Sequence, residues 1–252
     1  NQTMSADFIN LTTENLANEH LCCIIRSKKP HPGVEAKRQW LFERLREGHV
    51  FRKLNAKATV FIEYAPLETA WVPILGDNYY YLYCLWTLGN EKGKGYGKAL
   101  MEYCLNDARE NGKSGVCMLG AAKQKAWLSD QSFAKKFGFE VVDRTDYGYE
   151  LLALSFDKTT PSFAPNARKG EIERRELTIY HDMQCPYVLQ NIGKIKQYCQ
   201  ENEVPASLIQ VDTLKQAKNL PCVFNNWAVF YNGTFETVNL LDVTSIQRLL
   251  QK

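Results

Sequence analysis

The sequence predicts an α/β protein in two parts, and three observations support this prediction. Strand-like and helix-like segments alternate over residues 1–157, which indicates a mixed sheet flanked by helices. A stretch with two prolines, small polar residues and a run of charges then interrupts both periodicities at 158–174. A second, shorter set of strand and helix patterns occupies 175–252. We therefore expect a larger domain, a linker and a smaller α/β domain.

Each element of the first part is predicted from its periodicity. Alternating apolar positions and β-branched or aromatic residues predict strands at 7–12, 49–55, 58–65, 78–88, 115–122, 139–145 and 149–156. Helical patterns predict helices at 34–48, 97–111 and 127–137, and a capping signal with Glu14 in the first turn predicts another helix that starts at Thr13. The turn Asp146-Tyr147-Gly148 joins the last two strands as a hairpin.

The composition is that of a globular protein, since 45% of the 252 residues are hydrophobic and 23% are charged. The net charge of +3 gives no electrostatic argument for a nucleic acid partner. No apolar run is long enough to cross a bilayer, and the polar N-terminal segment lacks the basic and apolar regions of a secretory signal. We therefore expect a cytoplasmic protein without a membrane or nucleic acid partner.

The eight cysteines are expected to be reduced, buried thiols. Most of them lie inside apolar segments of a chain that shows no secretion signal. No pair has the C-x2-C spacing of a zinc site, and the four histidines are scattered along the chain. We predict no structural metal.

The turn from Lys92 to Lys98, KGKGYGK, lies between an aromatic strand and a helix. A glycine-rich turn in this position presents backbone N–H groups beside the positive end of a helix dipole, which makes an anion site. A Walker A loop needs Ser or Thr after Gly97-Lys98, where this chain has Ala99. The dinucleotide fingerprint needs a wider glycine spacing, so both of these phosphate-binding motifs are excluded.

This turn resembles the coenzyme A pyrophosphate loop of the GCN5-related N-acetyltransferases (GNAT), [QR]-x-x-G-x-[GA], with lysine at the first position. The segment KKFGFE at 135–140 resembles a second motif of that family, and the resemblance covers about the first 157 residues. It implies a GNAT-type sheet that binds acetyl-CoA. The strand end at Leu85, Trp86 and Thr87 would pair with the pantetheine arm.

The resemblance also implies that the backbone amides of the turn hold the pyrophosphate. The residues of the turn implied in binding are Lys92, Gly93, Lys94, Gly95, Tyr96, Gly97 and Lys98. The alternative is a tight turn that binds nothing and is rimmed by solvated lysines.

The resemblance does not assign the catalytic acid and base. Alignment on Gly138-Phe139 places Ala134 where the family often has a tyrosine acid, and Tyr81 falls near the position of a glutamate base. Direct attack by a positioned amine, with water carrying the protons, would need neither. Four residues are candidates for polar roles: Glu63, Tyr79, Tyr81 and Tyr83. Strand alternation directs the three tyrosines to one face of the sheet. The alternative to a polar role for each of them is that of an ordinary, half-buried aromatic residue of the sheet.

The second part begins with an apolar strand that leads to Cys185 at the start of a helix, where the dipole would stabilise a thiolate. The run C-P-Y-V at 185–188 resembles the C-P-Y-C motif of glutaredoxins. A later segment resembles the part of a thioredoxin fold in which a cis-proline, here Pro221, precedes a strand. We therefore expect a thioredoxin-like domain in which Cys185 and Cys222 are either a redox pair or inert thiols of a scaffold.

A GNAT domain followed by such a domain resembles the YoaP family of bacterial proteins. The resemblance implies an acetyl-CoA-dependent N-acetyltransferase that acts on an amine of a small molecule or peptide. The aromatic strand at 79–83 and the segment 63–73 would line the acceptor pocket, which suggests an apolar or aromatic acceptor. Two alternatives remain: a thiol-redox protein that uses Cys185 and senses coenzyme A, or a non-catalytic acyl-CoA-binding module, which Ala134 favours.

Overall fold

The computed structural model describes residues 7–89 and 92–252, so part of the polar N-terminal segment discussed above, residues 1–6, lies outside the described residues. The strands of the first part are β1 (Phe8–Asn10), β2 (Val50–Leu54), β3 (Val60–Pro66), β4 (Ile74–Leu75), β5 (Tyr79–Thr87), β6 (Gly115–Ala121), β7 (Glu140–Arg144) and β8 (Tyr149–Ser155). Seven of them form one sheet in the order β1-β2-β3-β5-β6-β8-β7. Only β5 and β6 run parallel; the other neighbours are antiparallel.

Helices cover both faces of this sheet. Those of the first part are α1 (Pro32–Leu45), α2 (Tyr96–Glu110) and α3 (Gln131–Lys136). One side of α2 carries a stripe of buried residues at helical spacing, which includes Leu100, Cys104 and Ala108, and packs on one sheet face together with Ala134 of α3. The mixed sheet with flanking helices confirms the predicted fold class.

The helix predicted from Thr13 is wrong, because residues 13–18 form turns. Thr12 N–H donates to Asn15 Oδ1 and Asn15 N–H donates to Thr12 Oγ1, as in a capping box at a helix start. The Arg38 side chain of α1, however, donates to the Leu16 and Glu19 carbonyls, so these carbonyls have acceptor roles outside a local helix. The helices predicted at 34–48 and 97–111 are confirmed as α1 and α2, and that at 127–137 is reduced to α3.

The second part forms a smaller four-stranded sheet with its own helices. Its strands are β10 (Leu177–His181), β11 (Ala206–Gln210), β12 (Trp227–Tyr231) and β13 (Thr234–Thr237), and its helices are α4 (Tyr187–Glu201), α5 (Leu214–Lys218) and α6 (Val243–Leu249). The strand order is β11-β10-β12-β13, with β10 and β11 parallel and the rest antiparallel. The Leu220–Pro221 peptide bond is trans, the lower-energy isomer, so the cis-proline prediction is wrong.

The connecting segment 158–174 is packed against the rest of the chain. Within it, β9 (Ser162–Phe163) pairs with β4, and the Phe163 and Ala167 side chains are buried. The Arg168 guanidinium forms an ion pair with Asp143 at the end of β7. The expected linker is therefore anchored at several points, and the domain boundaries stay a prediction.

The second part packs on the sheet face opposite α2, so one hydrophobic core includes side chains of both parts. Tyr81 of β5 and Phe224 belong to this shared core. Polar contacts also cross between the parts: Tyr81 OH donates to Asn225 Oδ1 at 2.6 Å, and Lys218 Nζ donates to the Leu67 carbonyl at 2.7 Å. Among residues 7–89 and 92–252, no helix has the length and apolar character needed to cross a bilayer.

Gly33 in the first turn of α1 should be intolerant of a side chain. A Cβ at this position would lie 1.9 Å from the Pro186 carbonyl oxygen of the second part, so Gly33→Ala must displace backbone. We expect a loss of about 1–3 kcal/mol in unfolding free energy, as for an overpacked core. Urea unfolding followed by circular dichroism measures it.

Gly193→Ala is the matched control, because this glycine lies within α4 and its added Cβ would have no neighbour within 4 Å. This substitution should stabilise the protein by roughly 0.5–1 kcal/mol through helix propensity. A Gly33→Ala protein as stable as the wild type would contradict the close approach of the two parts.

Candidate functional site

A β-bulge in β5 separates this strand from β6 and opens a cleft. Glu63 of β3 lies opposite Cys84, whereas Tyr64 lies opposite Leu82, so Tyr83 is an extra residue in β5. The register between β5 and β6 covers only Tyr79 to Tyr81. Bulges bend and twist a strand. The end of β5 thus diverges from β6, and a cleft of about 330 Å³ lies beside it.

Six of the ten residues predicted to bind the coenzyme line this cleft: Leu85, Trp86, Thr87, Lys92, Gly93 and Gly97. The other four do not line it. Gly95 is the N-cap of α2, Tyr96 packs edge-on against Phe8, and Lys98 is exposed beside Glu102. Lys94 also lies outside the lining.

The start of α2 has the features of an anion site. Gly93 and Gly95 have φ values of 77° and 78°, a conformation that costs little only for glycine. No side chain caps this helix end, and its first turn carries no acidic residue. The first N–H groups of α2 have no carbonyl partner within the helix and lie at the positive end of its dipole.

The opposite wall of the cleft contains residues that the sequence analysis did not select. They are Met101, Met118, Ser129, Asp130 and Phe133, next to Ala134. Ser129 Oγ accepts a hydrogen bond from Leu85 N–H at 2.9 Å and so joins the diverging strand to the α3 region. Asp130 is the N-cap of α3, since its side chain accepts from the Ser132 and Phe133 N–H groups. Aspartate is a preferred N-cap residue, so its position before a helical pattern is a sequence signal for this role.

A second cavity of about 440 Å³ lies between the two parts of the chain. The first part contributes Lys37, Glu63 and Cys84, and the second part contributes the segment 184–187 with Asn225 and Asn226. Trp86 and Leu88 line both the cleft and the cavity, so the two spaces meet at the end of β5.

Glu63 is the centre of a buried polar network at one wall of the cavity. Lys37 Nζ lies 2.6 Å from Glu63 Oε1 and 2.8 Å from Oε2, and it also donates to the Gln184 carbonyl. The Gln184 side-chain amide donates to Glu63 Oε1 at 3.0 Å, and His49 Nε2 lies 2.7 Å from Oε2. Because a carboxylate only accepts hydrogen bonds, the His49 nitrogen that faces it carries the hydrogen.

The charges of this network follow from its geometry. Burial acts to raise the pKa of Glu63, but Lys37 and His49 outweigh it, and the pKa is lowered. Burial also lowers the pKa of His49, against the effect of Glu63. The network thus contains an ionised carboxylate and a neutral imidazole. Each Glu63 oxygen contacts two donors, which makes this carboxylate a poor proton acceptor.

The three tyrosines of β5 point to one face, as predicted, but none of them lines the cavity. Tyr81 OH donates to Asn225 Oδ1, and Tyr83 OH accepts from Trp71 N–H at 2.8 Å. Burial raises the pKa of both phenols well above its usual value. The expectation that 79–83 lines an acceptor pocket is wrong, because the second part covers this face.

The cysteine thiols have raised rather than lowered pKa values. Burial raises the pKa of Cys185 to about 11, although the start of α4 acts in the opposite direction, so the expected thiolate is not stabilised. Cys185 shares the cavity wall with Cys23 and Cys84, whereas Cys222 is fully buried in the shared core. All eight cysteines are free, and no metal-binding cluster of His, Cys, Asp or Glu occurs among the described residues.

Lys37 and Gln184 are site residues that the sequence analysis missed. Lys37 had a readable signal, because it lies three and four residues before Trp40 and Leu41 on the buried side of α1. A lysine on the apolar face of a helix needs a buried partner. Gln184 has no such signal, since its contacts depend on how the two parts dock.

Replacing Glu63 alone should destabilise the protein more than replacing both members of its ion pair. Glu63→Leu leaves the buried Lys37 ammonium without a counter-charge, which should cost about 3–5 kcal/mol. The double variant Lys37→Met/Glu63→Leu should recover most of this loss, because apolar side chains of similar size replace both charges. Urea unfolding of the wild type, Lys37→Met, Glu63→Leu and the double variant measures the effect, and losses of the two single variants that simply add in the double variant would contradict it.

Asp182 is buried beside this network. Its Oδ1 accepts from Gln184 N–H at 3.0 Å, and its Oδ2 has no hydrogen-bond partner within residues 7–89 and 92–252. Burial raises the pKa of Asp182 to about 7, against the lowering effects of Gln184 N–H and Lys37. The native carboxyl group therefore retains a proton that the unfolded chain releases near pH 3.8.

Asp182→Asn should gain stability relative to the wild type as the pH rises from about 4 to about 7. The raised native pKa makes wild-type stability fall through this window, and neutral asparagine lacks this loss. Urea unfolding of both proteins across the window measures the difference. Burial lowers the pKa of His181 to about 4, so this residue makes stability rise with pH. Both proteins contain His181, and its effect cancels in the comparison. A stability difference independent of pH would contradict the raised pKa.

The chain matches two protein families in consecutive regions. Residues 14–139 match the acetyltransferase (GNAT) family, and residues 205–248 match the YoaP-like family. The chain is also similar to a Bacillus subtilis (strain 168) protein called "Uncharacterized N-acetyltransferase YoaP". The two are 31% identical over 245 residues, which are 96% of this chain and 98% of the relative.

Solved structures of the GNAT family match about three fifths of the chain. One is a GNAT acetyltransferase from Brucella melitensis in complex with acetyl-CoA, which is 15% identical to this chain. The match spans 63% of this chain and 93% of the Brucella chain, with a TM-score of 0.40. Another is the PaiA N-acetyltransferase from Thermoplasma acidophilum in complex with coenzyme A, which is 17% identical. The match spans 61% of this chain and 100% of the PaiA chain, also with a TM-score of 0.40. By the family match and the full-length similarity to YoaP, the chain belongs to the GNAT family of acetyl-CoA-dependent N-acetyltransferases.

Proposed function

We propose that this protein transfers the acetyl group of acetyl-CoA to the amine of a small molecule or peptide. The observation that carries the proposal is the cleft where β5 diverges from β6, which ends at the glycine-rich start of α2. The coenzyme-bound relatives described above are consistent with it.

The coenzyme would bind along this cleft. The pantetheine arm would run beside the β5 backbone at Leu85, Trp86 and Thr87 on the side that β6 leaves open. There it would replace Ser129 Oγ as the acceptor of the Leu85 N–H. The pyrophosphate would accept from the backbone amides between Gly93 and Lys98, with positive charge from Lys92, Lys94 and Lys98.

The chemistry would depend on positioning more than on a protein acid or base. The amine nitrogen forms a bond to the acetyl carbon, the carbon–sulfur bond breaks, and the coenzyme sulfur takes up a proton. Ala134 has no proton to give, and the Tyr81 and Tyr83 hydroxyls are engaged elsewhere. Glu63 is ionised and fully hydrogen-bonded. We therefore propose that water carries the protons and that Glu63 organises the site.

We also propose a thioredoxin-like fold for residues 175–252, with the GNAT domain at 1–157 and a connecting segment at 158–174. The order of elements supports this, since a β-α-β unit is followed by a helix, two antiparallel strands and a final helix, with sheet order β11-β10-β12-β13. A thiol-redox function is less well supported, because Cys185 is a neutral thiol and Cys222 lies in the core.

Gly95→Asp should abolish most acetyl-CoA binding. A carboxylate at the N-cap of α2 would repel the pyrophosphate and accept hydrogen bonds from the same amides, which should weaken binding by roughly 10- to 100-fold. Isothermal titration calorimetry of both proteins with acetyl-CoA measures this loss.

Gly95→Asn is the matched control, because asparagine has the same size and tolerates the same backbone conformation without adding charge. Its affinity should lie much closer to the wild type. No acetyl-CoA binding by folded wild-type protein would contradict the proposal. Binding without acetylation of any amine would instead support the non-catalytic acyl-CoA-binding alternative.

A further inference from the structure

The cavity between the two parts is rimmed by exposed apolar side chains. Four large hydrophobic residues are exposed among the described residues: Leu75, Leu88, Trp127 and Tyr187. Three of these four line the cavity, and Leu75 is the exception. Trp127 and Tyr187 come from different parts of the chain and form an edge-to-face pair with centroids 6.0 Å apart. Exposed apolar side chains gathered at one concave site indicate an apolar ligand.

The inner walls of the cavity are aromatic and apolar as well. Phe51 and Phe61 stack at 4.9 Å, and Trp86 adds a third aromatic wall. The three cysteines that line the cavity are neutral thiols, which pack like small apolar groups. A volume of about 440 Å³ lies in the range of small-molecule sites.

The cavity offers no charge to a charged substituent of its ligand. Among the described residues that line it, the charged ones are Lys37 and Glu63, and these two neutralise each other. Gln184 and His49 occupy the remaining sites on the carboxylate. A carboxylate, a phosphate or a second ammonium group on the ligand would therefore be buried without a partner, which is costly.

The position of the cavity relates it to the coenzyme cleft. Trp86 and Leu88 line both spaces, which meet there. A molecule in the cavity can therefore present one end to the strand end where the acetyl group of a bound coenzyme would lie.

We propose that this cavity is the acceptor site and that its substrate is a small arylalkyl primary amine without a carboxylate, phosphate or second ammonium group. This inference rests on the proposed acetyl transfer. The neutral amine forms the new carbon–nitrogen bond and releases one proton, and the coenzyme leaves as its free thiol. The second part of the chain acts as the specificity element, since it supplies Gln184, Tyr187 and Asn226 to the cavity.

Tryptamine and tryptophan form a matched pair of probes, because they share the ring and the amine and differ only in the carboxylate. With acetyl-CoA and wild-type protein, kcat/KM for tryptamine should exceed that for tryptophan by about 100-fold or more, since the carboxylate would be buried unpaired. Spermidine, which carries additional ammonium groups, should be as poor as tryptophan. Equal or better use of tryptophan, spermidine or a peptide amine would overturn the inference while leaving acetyl transfer intact.

Tyr187→Ala tests the place of binding, with Tyr198→Ala as its control. Tyr198 lies on the same helix but does not line the cavity. Tyr187→Ala should raise the KM for tryptamine about tenfold through the lost aromatic contact, with no change in the KM for acetyl-CoA. Tyr198→Ala should change neither value. Circular dichroism of both variants verifies folding, and an unchanged tryptamine KM in folded Tyr187→Ala would overturn the assignment of the cavity.

Equilibrium dialysis of labelled tryptamine with the coenzyme A-bound protein separates the two proposals, because it needs no turnover. If the protein binds tryptamine, Tyr187→Ala weakens this binding, and no amine tested is acetylated, the ligand class is supported while the proposed function fails. Acetylation of other amines without tryptamine binding retains the proposed function and refutes the ligand class.

Discussion

The buried ion pair between Lys37 and Glu63 constrains the arrangement of everything around the site. Neither charge can lie in the interior alone, because burying an unpaired ion costs several kcal/mol of desolvation free energy. Lys37 therefore needs both the carboxylate on β3 and the Gln184 carbonyl of the second part. One ammonium group thus joins α1, the large sheet and the second part. Gly33 allows this contact, since any larger residue would meet the Pro186 backbone.

The β-bulge at Tyr83 and the docking of the second part together shape the two spaces of the candidate site. By adding a residue to β5, the bulge ends the pairing with β6 after Tyr81 and opens the cleft on one side of the strand. Docking of the second part on the opposite sheet face then closes the cavity. Because both spaces meet at Trp86 and Leu88, a donor molecule and an acceptor molecule can approach each other across one strand end.

Burial also decides the chemistry of the thiols and tyrosines. The start of a helix favours a thiolate at Cys185, but desolvation has the larger effect and the thiol keeps its proton. The tyrosines of β5 likewise direct their hydroxyls to partners within the protein rather than to the cavity. Side chains that look reactive in the sequence therefore act here as packing groups, which is why the proposed mechanism depends on the proximity of the two ligands.

The sequence by itself determined the α/β class, the main strands and helices, and the glycine-rich turn with Gly93 and Gly97 on the cleft. These features depend on local periodicity and on the backbone freedom of glycine, which neighbouring residues reveal. Tertiary structure alone decided that residues 13–18 form turns, that Gln184 contacts Glu63, and that the second part covers the face of Tyr81. Each of these outcomes depends on contacts between residues far apart in the chain. Lys37 lies between these cases: its position on an apolar helix face is a readable signal for a buried partner, but only the folded chain identifies that partner as Glu63.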